Sequence, residues 1–180
     1  MIQVLGVGNG KGSGRLEDLA RNLSAVFRVR CQVREDSLDP GFAWDVSRAQ
    51  YHSTKILERM VGLPGGDCSR MIGIADVDLF VPIFTFVFGE AQLDGHCAVV
   101  STYRLADEHY GLPPNEAKLG ERLLKEAVHE LGHTFGLHHC DNWQCVMASS
   151  HSVERLDLKS AEFCDECAEI VRAECVSLGR

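Results

Sequence analysis

The segment His129-Glu130-Leu131-Gly132-His133-Thr134-Phe135-Gly136-Leu137-His138-His139 holds the residue types and spacing that can do chemistry. His129 and His133 stand four apart, so a helix puts both imidazoles on one face, one turn apart. Two imidazoles so placed can share a zinc ion at about 2.1 Å per nitrogen. Glu130 lies beside them, within reach of a water on such an ion without being a ligand itself. Gly136 lets the chain leave the helix sharply, because glycine accepts positive φ without a Cβ clash. His139 then returns as the third ligand. Three protein ligands leave a fourth position for water, which is how catalytic zinc sites are built. Zinc lowers the pKa of its water to about 7 and polarises a carbonyl. Glu130 would act as general acid/base, taking the proton and passing it to a leaving amine. A bare HExxH also arises in amphipathic helices with solvated charges. The eleven-residue form with its glycine is much more specific. His138 is a rival third ligand and is read here as a surface residue.

Cys140 directly follows the third histidine, Cys145 comes five residues later, and Cys164 and Cys167 form a CxxC. Two cysteine pairs fit a closed tetrahedral site, which is structural because it has no open position. A CxxC near a helix N-terminus gains amide donors that favour thiolate over thiol. The competing reading is a redox pair, but thioredoxin-like CxxC motifs follow a strand and this one does not. Cys31, Cys68, Cys97 and Cys175 are isolated and are read as small core residues.

These residues need elements to hold them. Leu119, Leu123, Ala127, Leu131 and Phe135 recur every four residues and predict a long helix from about 116 to 135, with Asn115 as N-cap and Gly136 as its end. Upstream, Ile2–Val7 reads as a buried strand, Leu16 to Val26 as a first helix and Phe27–Val33 as a second strand. Residues 34–48 read as irregular, and Ser47 to Val61 as a second helix broken by Leu63-Pro64-Gly65-Gly66. Met71–Ala75, Ile83–Phe88 and Cys97–Thr102 are the remaining strands, and a last helix spans about 158–176. Strands alternating with helices predict an α/β fold with a mostly parallel sheet.

The bulk numbers agree with one domain over residues 1–180, with the metal-binding part at about 115–176. A net charge of −8 without a basic block argues against a nucleic-acid partner. No run is long enough to span a membrane, and the first residues read as a strand and not as a leader. Eight cysteines without a secretion signal point to a reducing compartment, hence a cytoplasmic protein, expected to be monomeric. Gly8 to Gly14 fails both nucleotide-binding templates and reads as a loop. Asp67, Asp76 and Asp78 lack calcium-loop spacing.

The stretch from His129 to Cys167 resembles the archaemetzincins, a branch of the metzincin metallopeptidases: HExxHxxGxxH followed at once by cysteine, then Cys-x-Met, then CxxC. Asp45 to Tyr51, Asp76 to Phe80 and Phe86 to Ala91 also look like family segments, so the resemblance covers nearly the whole chain. It implies a metzincin-like catalytic domain with a mixed five-stranded sheet, mostly parallel with one antiparallel edge strand near residues 81–88. It implies Met147 as the methionine packed beneath the catalytic zinc, and Cys140, Cys145, Cys164 and Cys167 as ligands of a second zinc. Two Zn²⁺ per chain are thus expected, with a peptide or protein as substrate and metalloendopeptidase or aminopeptidase activity. Sixteen residues separate Met147 from Cys164, one fewer than the family pattern. The alternative reading is a catalytically silent zinc protein that binds peptides or partners in the same cleft.

Overall fold

The structure, a computed structural model, describes residues 1–8, 14–63 and 70–177. In chain order its first elements are β1 (Ile2–Val7), α1 (Arg15–Phe27), β2 (Cys31–Leu38), β3 (Trp44–Asp45), β4 (Gln50–His52) and α2 (Ser53–Val61). There follow β5 (Arg70–Ala75), β6 (Leu79–Phe80), β7 (Gly89–Ala91), β8 (Cys97–Ser101), α3 (Glu116–Thr134), α4 (Val153–Leu158) and α5 (Asp165–Ser177). Most of the glycine-rich loop, the Pro64-Gly65-Gly66 break, Asp67 and Cys68 lie outside the described residues.

The main sheet has the order β2-β1-β5-β8-β7, with β2, β1, β5 and β8 parallel and β7 antiparallel to β8. This is the mixed five-stranded sheet that the family resemblance implies. Every residue of β1 and β5 is buried, because helices cover both faces. Val4, Ile72 and Val100 face α1 and α3, while Leu5, Met71 and Val99 face α2. A smaller sheet, β3-β4-β6, flanks the first and was not foreseen.

Four boundaries differ from the sequence reading, each for a physical reason. Phe27 ends α1 and is buried, and β2 starts later and runs through the polar residues 34–37 to Leu38. As a sheet edge β2 stays partly solvated, so it lacks an apolar run. The second helix begins at Ser53, because residues 50–52 are claimed by pairing with β3 and β6. Ile83–Phe88 is not a strand: Ile83 is 83% exposed, and the edge strand is the short β7 just downstream. The last helix, α5, begins only at Asp165, and a separate short helix, α4, ends at Leu158; the stretch between them, which carries Lys159 and Cys164, is not helical.

Two candidate metal centres on one loop

α3 carries His129, Glu130 and His133. Its N-terminus is capped by Asn115, whose side chain accepts from Lys118 N–H at 3.0 Å. Its core stripe of Leu119, Leu123, Ala127 and Leu131 is buried in the main core. That burial fixes the helix rotation and turns His129 and His133 together. Gly136 has φ 81°, and Leu137 N–H donates to Gly132 O at 3.1 Å, so the chain turns out of the helix where glycine was expected to let it.

His129, His133 and His139 converge, with one ring nitrogen from each within 4.8 Å of the others. The Nε2 atoms of His129 and His133 are 3.2 Å apart. Tetrahedral ligands at zinc–nitrogen distance stand about 3.4 Å apart, so the pair fits a shared ion. Each ring is oriented from behind: His129 Nδ1 donates to Val146 O at 2.9 Å, and His133 Nδ1 donates to Leu137 O at 2.7 Å. This leaves Nε2 as the free lone pair on both, as outer hydrogen bonds do for metal-binding histidines. Burial lowers the pKa of all three rings, His129 the most, with Lys159 and the neighbouring histidines adding to it. Each therefore favours the neutral form that binds metal. His138 is exposed, as its surface reading expected.

Glu130 is 7% exposed. Burial, then the carboxylate of Glu126 one turn earlier, raise it well above the usual carboxylate range, with Lys159 opposing. A divalent cation in the triad would pull it back toward the ionised form. Gly89 of β7 lies against Glu130, and a Cβ there would come 2.7 Å from Glu130 Cγ. β7 is itself tied to α2: Glu90 accepts from Ser53 Oγ and, at 2.8 Å, from Thr54 Oγ1.

Cys140, Cys145, Cys164 and Cys167 form a second cluster, with all four sulfurs within 4.8 Å of one another. Cys140 and Cys164 Sγ are 3.8 Å apart, the separation of two thiolates on one tetrahedral zinc at about 2.3 Å each. Backbone donation from Cys167 N–H lowers the Cys164 thiol, while burial raises Cys140 and Cys167. Cys145 Sγ accepts from the N–H groups of Met147 and Cys164 at 3.4 and 3.3 Å. Of the isolated cysteines, Cys97 is buried as expected, and Cys31 and Cys175 are only partly so. Met147 is fully buried against Gly132, between the two helical histidines, and a Cβ at Gly132 would run into its sulfur.

Sequence reading missed Glu126 and Lys159. Both are buried, with Lys159 Nζ 3.5 Å from Glu126 Oε1. Glu126 could have been found, since it precedes Glu130 by one helical turn. Lys159 carries no such signal, because its position depends on the break between α4 and α5.

Residues 31–173 match the model for Peptidase family M54. The archaemetzincin of Methanocaldococcus jannaschii is 41% identical over 152 residues, covering 84% of this chain and 82% of the relative. The crystal structure of archaemetzincin from Methanopyrus kandleri aligns with a TM-score of 0.82 at 32% identity, over 98% of this chain and 96% of that one. That of a zinc-dependent peptidase from Methanocorpusculum labreanum aligns with a TM-score of 0.85 at 28% identity, over 95% of this chain and 100% of that one. The chain belongs to peptidase family M54, the archaemetzincins.

Proposed function

We propose that this zinc metallopeptidase hydrolyses peptide bonds at the histidine triad, with His129, His133 and His139 as zinc ligands and Glu130 as general acid/base. The observation that carries the reading is the convergence of three neutral-favouring imidazoles beside a buried carboxylate. Zinc held there supplies a Lewis acid and a water of pKa about 7. Glu130 accepts the proton of the attacking water at its carboxylate and delivers it to the leaving nitrogen. Burial keeps competing solvent from Glu130, and the hydrogen bonds to Val146 O and Leu137 O keep the two helical rings aimed.

The four cysteines are proposed to hold a second, structural zinc, making two per chain. The sulfur separations support this reading, as does the closed, protein-only ligand set. None of the seven described cysteines is in a disulfide, which supports a reducing compartment such as the cytoplasm. The substrate is a peptide or protein, taken by an endopeptidase or aminopeptidase.

The test is cleavage of a peptide library by zinc-loaded protein and by Glu130→Ala and Glu130→Gln. General acid/base groups contribute about 10²- to 10⁴-fold, so both variants should lose at least that range in kcat/KM while keeping their zinc. Equal cleavage by the variants would overturn the role of Glu130. A silent wild type that still binds peptides in the cleft would favour a binding protein.

A further inference from the structure

A cavity of about 260 Å³ opens beside the triad. Its walls include Phe84, Phe86 and Phe88 from the segment before β7, and Ser149 and His151 from the loop after Met147. Whole-ligand sites run to about 300–1,000 Å³, so this volume suits a single long side chain. Glu126 also lines it. Glu126 is only 4% exposed, and its Oε1 accepts no hydrogen bond among the described residues. Its cationic neighbour, Lys159, is no substitute. Lys159 Nζ makes its shorter hydrogen bond to Ala148 O at 3.0 Å and approaches Glu126 Oε1 only to 3.5 Å, a long charged contact that leaves room for a closer donor. Nor is Lys159 among the residues that line the cavity.

A buried carboxylate oxygen without a donor is costly, and the cost is relieved when a ligand brings one. An apolar side chain in this cavity would shut water away from Glu126 and leave it unsatisfied. An acidic one would meet the carboxylates of Glu126 and Glu130 together. A long side chain with a donor at its tip satisfies Glu126 and packs its stem on the phenylalanine walls.

Resting on the peptidase reading above, we propose that Glu126 determines specificity, so that the cavity takes a substrate side chain ending in a hydrogen-bond donor: lysine, arginine or glutamine. Lys159 then has a positioning role. It offsets the charge of Glu126 while anchored to Ala148 O, so the carboxylate stays in place when the cavity is empty.

Peptidyl hydroxamates test this without turnover, because the hydroxamate chelates zinc and sets the adjacent side chain X in the neighbouring subsite. Four compounds, with X lysine, glutamine, leucine or glutamate, are titrated calorimetrically into zinc-loaded protein. The lysine and glutamine compounds should bind at least 10-fold tighter than the other two. The double variant Glu126→Leu/Lys159→Met replaces the ion pair by apolar residues of similar size, an exchange that buried pairs often tolerate. In it the order should invert, with leucine at least 10-fold ahead of lysine. Equal binding of all four to wild type, a preference for leucine or glutamate, or an unchanged order in the double variant would overturn the assignment while leaving the peptidase reading intact. Failure of all four to bind would strike at the zinc-dependent reading itself and take the assignment with it.

Discussion

His129 Nδ1 and the carbonyl of Val146 meet at 2.9 Å, and that bond joins the two candidate metal centres. Val146 follows Cys145, and its own N–H donates to Glu162 O at 2.9 Å, two residues before Cys164. Cys140 N–H donates to Met147 O at 3.0 Å within the same loop, and Cys140 itself follows His139. The orientation of one proposed zinc ligand is therefore set by backbone that the cysteine cluster holds in place.

The two centres should respond asymmetrically to mutation. His133→Ala removes one proposed ligand from the open histidine site, so on the two-zinc proposal it should lose one zinc and keep its fold. Cys164→Ser opens a closed site that staples α5 to the loop. A loss of about 3 kcal/mol there corresponds to roughly 6–12 °C in Tm for a chain of this size. It should also weaken zinc at the histidines, because the Val146 carbonyl loses its support. Elemental analysis and thermal unfolding of the two variants check this, and equal stability losses would contradict the division into catalytic and structural sites.

The triad and the cysteine cluster were legible because their ligand spacings coincide with local geometry: one helical turn from His129 to His133, a glycine turn to His139, and a helix start at Cys164-x-x-Cys167. The parallel centre of the sheet was legible because β1 and β5 are buried on both faces and so read as continuous apolar runs. What stayed hidden depends on neighbours distant in sequence. Ile83–Phe88 is as apolar as a core strand, yet Ile83 and Phe84 are exposed and Phe86 and Phe88 wall a cavity. β2 looks polar because it is an edge. The Glu126–Lys159 pair joins α3 to a segment beyond α4, and no local pattern announces such a contact.

Acid should destabilise the protein partly through Asp157. Arg122, 2% exposed, donates from Nε and Nη2 to the two oxygens of Asp157 at 2.7 Å each and from Nη1 to Asp107 at 2.8 Å. The hydrogen bonds from Arg122 hold the Asp157 carboxyl below its usual range. The folded pKa is thus depressed, so the stabilisation is present above the unfolded value of about 3.9 and is lost as pH falls through the folded value. With its side chain 34% exposed, Asp157 is partly screened. Asp157→Asn should therefore cost about 1–2 kcal/mol at pH 7. Denaturant unfolding of wild type and variant should converge as the pH falls below the unfolded value. A constant gap down to pH 2 would remove Asp157 from the acid response.

Gly89 provides the most local test of how the edge strand and the proposed general base fit together. A Cβ on Gly89 would lie 2.7 Å from Glu130 Cγ, 2.8 Å from Glu130 Oε1 and 2.7 Å from Val99 O. Val99 is held in β8 between β5 and β7, so its carbonyl cannot retreat without parting the sheet. The side chain of Glu130 is the element that can move, and moving it displaces the carboxylate from the histidine triad. Gly89→Ala should therefore keep both zincs, since no ligand is touched, while kcat/KM falls at least 10-fold, the equivalent of about 1.4 kcal/mol in the barrier. Gly120→Ala is the matching control on the same helix, α3. A Cβ at Gly120 meets nothing within 4 Å, and alanine is favoured over glycine inside a helix by about 0.5–1 kcal/mol. That variant should be slightly more stable and fully active. Zinc content, thermal unfolding and peptide cleavage, measured together on the two proteins, separate contact with Glu130 from a general effect of adding a methyl group. Full activity in Gly89→Ala would show that Glu130 is not held where β7 presses on it.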